Sequence, residues 1–386
     1  MRKFDVVVLG LGAMGSAALY QLSKRGVPVL GIDQFSPPHD RGSSHGDTRI
    51  TRLAIGEGDH FTPLVRRSHE IWREIERDTG VELLVQCGEI IVSSEKTTAS
   101  THVQGFFQKT VDAARRHGIP HELLDASQLR KRFAAFNIRD DEYGYFEPGA
   151  GYVRPEACIT AQLALAEKRG AHIHRGERVL RFDASSDSVT VRTDRTDYTV
   201  DTLVIAAGAW LPELLGGRFL SILRVYCQSL FWFEIDDDPS MFEPDRFPVF
   251  IWELPSAPQG VYGFPVVNSA GLKIATEQYS QTTTPGFVER HISNSEIDAM
   301  YRNFVAPNFR GVSARSMKTA TCLYTVTPDA GFIIDRHPAS ERVIVASCCS
   351  GHGFKHSAAV GEALADMAQH CKGRFDLGPF RISRFG

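Results

Sequence analysis

The chain has 386 residues, room for two domains or for one domain with a large insertion. Its 42% hydrophobic and 23% charged residues are those of an ordinary globular protein, and a net charge of −3 with no basic stripe argues against a phosphate-tracking nucleic-acid binder. No apolar stretch reaches membrane-span length and the first residues run straight into a strand-like segment, so the expectation is a cytoplasmic protein with no targeting peptide.

Phe4-Asp5-Val6-Val7-Val8-Leu9 predicts a buried parallel strand, with a helix expected over 17–24. Between them Gly10, Gly12 and Gly15 give the G-x-G-x-x-G spacing: one glycine for a tight turn, one for close approach of a pyrophosphate, one for close helix–strand contact. The free N–H groups and dipole of the helix N-terminus face the phosphates. A second strand, 27–32, leads into Asp33, about 20 residues on, where a carboxylate holds a ribose hydroxyl. This series defines a dinucleotide site and leaves NAD and FAD both open.

A polar loop over 36–47 comes next, then a helix over 61–78. A strand at 89–92 and a helix over about 101–117 begin a second region, and an Ala-rich helix starts at Arg154-Pro155 and stops before Gly170. Strand-like segments at 171–174, 178–182, 189–193 and 198–200 suggest a small sheet crossing over a doubly wound core. The buried strand 202–210 ends in small residues that let backbone approach a dinucleotide. From about 225 to 314 the composition turns to aromatic strands, with a Ser293-x-x-Glu296 capping box, before a strand at 343–348, a glycine turn and a small-residue helix over 355–370. The nucleotide-binding fold is thus expected in three pieces, 1–85, 145–220 and 315–386, with a β-rich substrate domain from 86–144 and 221–314. Seven cysteines show no C-x-x-C pair or regular spacing, so neither a disulfide framework nor a metal site is expected.

The segment 42–52 is dense in polar groups. Arg49 and Arg52, three apart, share a face if the segment is helical and would then hold a carboxylate; His45 alone is unremarkable. In the strand-like segment 318–325, alternation puts Cys322 and Tyr324 on one face, where a free cysteine is ordinarily just a small buried side chain. Ser350-Gly351-His352-Gly353-Phe354-Lys355 makes a second glycine-rich helix start. If Asn268 to Gly271 form a four-residue turn, Val267 faces Leu272, Val266 faces Lys273 and Tyr262 faces Glu277, gathering Tyr262, Lys273 and Glu277 on one face around Ala275. Such a face is either an exposed polar surface or the roof of an active site.

Together these residues resemble the monomeric sarcosine oxidase and N-methyltryptophan oxidase family of FAD amine oxidases. The resemblance runs from the fingerprint to Phe380-Arg381-Ile382-Ser383-Arg384-Phe385. It is carried by Gly46-Asp47-Thr48-Arg49, Tyr262-Gly263-Phe264-Pro265, Leu272-Lys273, Cys322-Leu323-Tyr324-Thr325 with Pro328-Asp329, and the 350–355 turn. It implies FAD over NAD and an α/β fold: a Rossmann-like FAD-binding domain of the glutathione-reductase/D-amino-acid-oxidase type, with a β-sheet-rich substrate domain. By the resemblance Cys322 is joined through sulfur to the flavin 8α carbon, His45 and Arg49 stand beside the flavin ring, and Arg52 and Lys355 grip the substrate carboxylate. Lys273 is where O2 is reduced, and Tyr262 and Tyr324 line the substrate cavity. Further cofactor contacts are implied for Ala13, Met14, Gln34, Ser44, Val179, Ala207, Gly208, Trp210, Gly351, Gly353 and Phe354.

One position departs from the pattern. Sarcosine-oxidizing members have a histidine four residues after the oxygen-activating lysine, and this chain has Glu277. The lysine–glutamate spacing is similar to that of the amadoriases, which oxidise fructosyl amino acids. The expectation is therefore a monomeric flavoprotein oxidase of secondary, N-methyl α-amino acids, using O2. The alternative is an amadoriase-like or cyclic imino acid (pipecolate or proline) oxidase. A NAD-dependent dehydrogenase and a non-catalytic FAD-binding module are the rivals from other classes; Lys273 and the paired cations weigh against the second.

Overall fold

The computed structural model describes residues 4–97, 103–254 and 260–386. Among them, two large sheets set the architecture, one mainly parallel and one mainly antiparallel.

The parallel sheet has six strands in the order Ile333–His337, Ser340–Ser347, Thr202–Ile205, Val6–Leu9, Val29–Asp33 and His172–Arg175. Its central strands are unbroken apolar runs because both faces are covered. On one face pack the helices Ala13–Lys24, Pro155–Lys168 and Ser357–Ala368. Gly361 lets two of them touch: a Cβ there would stand 2.5 Å from that of Ala17. The other face carries a three-stranded sheet, Val179–Ala184, Val189–Thr193 and Asp197–Val200. The chain runs from Val6–Leu9 to one neighbour, Val29–Asp33, and later returns on the other side as Thr202–Ile205. That reversal opens a crevice at the carboxyl ends of the strands, the usual ligand position in open α/β sheets.

The antiparallel sheet has eight strands, in the order Val312–Val326, Arg224–Ile235, Leu272–Thr276, Val261–Phe264, Val249–Trp252, Glu89–Ser94, Glu142–Glu147 and Glu122–Leu124. One pair in it, Val249–Trp252 with Glu89–Ser94, is parallel. One face is filled by aromatic side chains, among them Phe136, Phe247, Phe250, Trp252 and Phe309. The strands Glu142–Glu147 and Val312–Val326 run across the domain boundaries expected at 145 and 315.

Several elements differ from expectation. The first helix begins at Ala13, so Gly15 lies inside its first turn, where the absence of a side chain lets the helix sit on the strand. The segment 171–174 does not join the crossover sheet; it pairs with Val29–Asp33 as an edge of the parallel one. The 202–210 strand ends at Ile205, and Gly208–Trp210 forms a single helical turn because Gly208 takes a left-handed φ of 53°. The helix expected from 101 is seen as Phe106–Arg116; residues 101 and 102 lie outside the described ones. The segment holding Arg49 and Arg52 is a strand, Arg49–Thr51, so the two guanidinium groups diverge rather than share a helical face. The hairpin register is also shifted by two: Tyr262 faces Ala275 and Phe264 faces Lys273. Pro265 ends the pairing, and Asn268, Ser269 and Gly271 all take left-handed φ in a loop longer than four residues. An even shift keeps Tyr262, Lys273 and Ala275 on one face.

Candidate active site

A cavity of about 650 Å³ runs from the crevice of the parallel sheet to the antiparallel sheet. Its nucleotide end is made of backbone. Gly10 has φ of 82°, and a Cβ there would stand 2.6 Å from the Ala206 carbonyl oxygen; a Cβ on Gly15 would stand 1.7 Å from the Gly10 oxygen. Gly12, by contrast, looks onto open space, its nearest neighbour being Ser44 Oγ at 3.6 Å. Asp33, at the tip of the second strand, accepts the Leu11 N–H on one carboxylate oxygen and the Phe35 N–H on the other, both at 2.8 Å. Ala13, Met14, Gln34, Ser44, Val179, Ala207, Gly208 and Trp210 line the same end. Across the crevice the second glycine turn approaches just as closely: a Cβ on Gly353 would stand 1.7 Å from the Cys348 oxygen. Gly351, Gly353, Phe354 and Lys355 line this wall. The cradle, the acid at the strand tip and the two helix starts fit a dinucleotide such as FAD.

Arg52 and Lys355 both reach the cavity wall although the chain between them spans most of the protein. Arg52 Nη2 donates to both carboxylate oxygens of Glu57 at 2.8 Å, and its Nη1 is 3.6 Å from Glu89. Lys355 Nζ donates to the His352 carbonyl at 2.8 Å and stands 3.9 Å from Glu57. Burial, and then the Arg52 charge, pull Lys355 down to about 7. The sequence singled out these cations but not Glu57, which neutralises them; the only signal was a carboxylate five residues after Arg52.

Lys273 and Cys322 are buried behind the cavity wall. Lys273 Nζ donates to the Gly46 carbonyl at 2.5 Å, the Thr48 carbonyl at 2.9 Å and Thr48 Oγ1 at 3.0 Å, and stands 4.4 Å from the Phe264 ring centroid. Burial, then Arg49, press its pKa well below the ordinary lysine value, while these oxygens and the ring favour the charged form. The turn it grips is clamped from its other side, Glu156 Oε1 accepting the Gly46 and Asp47 N–H groups at 2.6 and 3.2 Å. Glu156 opens the helix Pro155–Lys168 and carries no sequence signal for this contact.

Cys322 and Tyr324 share a face, packed with Trp232, Ala275 and Tyr262. Tyr262 and Tyr324 hydroxyls are 3.3 Å apart. Burial raises the Cys322 thiol to about 11, with the Arg49 guanidinium opposing. Arg49 donates to the Thr48 and Ser43 carbonyls at 2.8 and 2.7 Å, and Ser43 Oγ donates to the Leu323 carbonyl, tying the 42–49 loop to the cysteine's strand. Burial, then Arg49, lower His45 to about 4, so its imidazole is neutral; among the described residues Nε2 has no hydrogen-bond partner. Glu277 is buried on the cavity wall and accepts the Tyr279 hydroxyl at 2.8 Å.

The site is thus a dinucleotide cradle whose far end carries buried cations, two phenols and a carboxylate, the composition of an oxidoreductase. The chain belongs to the DAO family of FAD-dependent oxidoreductases, whose model matches residues 5–367. It is 38% identical over 384 residues to monomeric sarcosine oxidase of Bacillus sp. (strain B-0618), covering 99% of this chain and 96% of that one. It is 33% identical over 387 residues to N-methyl-L-tryptophan oxidase of Yersinia pestis (strain Pestoides F), covering 99% of each. Among solved structures, NikD, an unusual amino acid oxidase essential for nikkomycin biosynthesis, shares the fold at a TM-score of 0.83 and 21% identity, over 99% of this chain and 98% of that one. Among the described residues, no helix is long and apolar enough to cross a membrane.

Proposed function

We propose that the protein is an oxidase of N-methyl and related secondary α-amino acids: substrate, O2 and water give the amino acid, formaldehyde and hydrogen peroxide. The observation that carries this reading is one cavity lined at one end by the glycine cradle and at the other by Arg52, Lys355, Tyr262, Tyr324 and Glu277. When bound, FAD supplies the two-electron acceptor between the amine's C–H bond and dioxygen. Arg52 and Lys355 hold the substrate carboxylate, Arg52 turning part of its fork from Glu57 to the ligand. Tyr262 and Tyr324 close the cavity over the amine. Lys273, held behind the cavity wall, supplies a positive charge that stabilises negative charge as it develops on O2. Cys322 carries FAD through its sulfur, Arg49 and His45 bounding the flavin ring. The enzyme acts as a cytoplasmic monomer.

Glu277 favours a second form of the same reading. A buried carboxylate on the cavity wall suits a substrate with a hydroxylated or larger N-substituent, as in amadoriase-like oxidation of fructosyl amino acids or oxidation of a cyclic imino acid. A peroxide-coupled screen over N-methyl amino acids, pipecolate, proline and fructosyl amino acids decides between them, and peroxide from none of these overturns both. Acid precipitation tests the linkage: the yellow colour stays in the pellet and a peptide holding Cys322 carries the flavin mass. Full release of flavin to the supernatant overturns the assignment to Cys322.

A further inference from the structure

Behind Arg52, away from the cavity, is a carboxyl that the reading above leaves without a task. Three glutamates surround the Arg52 guanidinium: Glu57 from the turn that follows Arg49–Thr51, Glu89 from Glu89–Ser94, and Glu147 from Glu142–Glu147. Glu57 accepts from Arg52 Nη2 on both of its oxygens. Glu147 accepts the Leu53 and Ala54 N–H groups at 2.6 and 3.1 Å and the Tyr145 hydroxyl at 2.9 Å, donors that oppose the effect of its burial. Glu89 differs from both. It is 0% exposed, and among the described residues no group donates a hydrogen bond to either of its oxygens and the cation paired with it is Arg52, Nη1 at 3.6 Å. Among the described residues, the other titratable groups facing this cluster are Lys355, His352 and His356 from the C-terminal turn, Tyr145 beside Glu147, Cys87 from Glu89's own segment, and Glu277 acting on Lys355.

The charge count is then unbalanced. Two basic groups, Arg52 and Lys355, the second held at about 7, stand among these three buried carboxyls with Glu277 also acting on Lys355, and a ligand carboxylate arriving on them adds a further anion. Buried anions of like sign cannot all stay ionised, and the one that neutralises first is the one whose charged form receives no hydrogen bond. Resting on Arg52 and Lys355 as the carboxylate site, we propose that Glu89 takes up a proton from solvent when a substrate carboxylate binds, as a positioning residue that sets how substrate affinity varies with pH. Burial already pushes Glu89 up to about 8, with Arg52 opposing. The sign follows: near pH 7 Lys355 is partly neutral and itself takes up protons as the carboxylate binds, whereas Glu89 is mostly protonated before the ligand arrives and draws few. Above about pH 8 it is ionised in the free protein, each binding event must add a proton, and affinity falls toward about tenfold per pH unit.

The test is calorimetric titration of the FAD-loaded protein with methoxyacetate, a carboxylate with an ether oxygen in place of the amine, so that every proton counted belongs to the protein. Measuring in two buffers of different ionisation heat gives the protons taken up. The share of the wild-type uptake that Glu89→Gln removes rises from near zero at about pH 7 toward one at about pH 9, and the variant flattens the dependence of Kd on pH. Glu89→Leu, similar in reach and uncharged, is the second variant should the first fail to fold. Wild-type binding without proton uptake overturns the inference and leaves the carboxylate site standing. Uptake undiminished in both variants assigns the proton to Lys355 and overturns it equally. No binding of methoxyacetate to the wild type removes the carboxylate site itself, and the inference with it.

Discussion

On the parallel-sheet side the cavity wall is backbone: Gly10, Gly12 and Gly353 bring main chain where side chains would otherwise stand, Gly15 lets the helix close on Gly10 behind them, and much of the polar chemistry is N–H groups at helix starts. On the antiparallel side the strands carry the chemistry outward on side chains, Lys273, Cys322 and Tyr324 projecting onto one face from the two strands that flank Arg224–Ile235. The first wall depends on φ angles and close approach, the second on strand register and charge. A substitution should therefore fail differently on the two sides: by sterics and cofactor retention on one, by rate on the other.

The largest effect expected is on the backbone side, and it separates two glycines of one motif. Gly15→Ala puts a methyl 1.7 Å from the Gly10 carbonyl oxygen, so the turn cannot close and the purified protein should hold no flavin. Gly12→Ala meets nothing nearer than 3.6 Å and should fold with a melting temperature close to wild type, its cost appearing as weaker FAD retention. Flavin absorbance per chain and thermal melts of both variants make the comparison. Equal behaviour of the two would erase the distinction between a packing glycine and a ligand-facing one.

On the side-chain wall, Lys273→Met should slow reoxidation by O2 by roughly 100–1000-fold, the loss of ~3–4 kcal/mol expected when one preorganised charge at a developing anion is removed. Anaerobic reduction by substrate should persist, because the carboxylate is held by other residues. Stopped-flow traces of the two half-reactions separate these effects. Equal loss in both would make Lys273 a structural prop for the 46–48 turn, whose carbonyls it already holds.

The same contrast explains what could be read from the sequence. The first strand, its glycines, the helix and Asp33 are contiguous, so local spacing specifies the cradle almost to the residue. The face shared by Cys322 and Tyr324 was also legible, since alternation is a local property. The Arg49–Arg52 pair was misjudged because three-residue spacing means one face only in a helix, and the segment is a strand clipped to Gly151–Val153. Glu57, Glu89, Glu147 and Glu156 escaped notice because their roles arise from pairings between distant elements that no window of sequence contains. The hairpin slipped by two for a local reason, Pro265 and three left-handed residues lengthening its turn, yet its face survived.

That surviving face bears on the smallest of the expected effects. With Tyr262 paired to Ala275, Glu277 stands just beyond the strand Leu272–Thr276, still on the cavity wall, with the Tyr279 hydroxyl on one carboxylate oxygen. A carboxylate in that position stabilises a cationic or hydroxylated part of a substrate and disfavours a small apolar N-methyl group, which cannot repay its desolvation. Sarcosine should accordingly be a poor substrate. Glu277→His should raise kcat/KM for sarcosine relative to the best substrate of the screen by about tenfold, the equivalent of ~1.4 kcal/mol. Tyr279→Phe removes the phenol that holds the carboxylate and should shift the same ratio in the same direction by less, since the charge remains. A wild type that already prefers sarcosine, or a ratio that neither substitution moves, would mean that the carboxylate is spent on Tyr279 and the rest of its buried surroundings and does not meet the substrate.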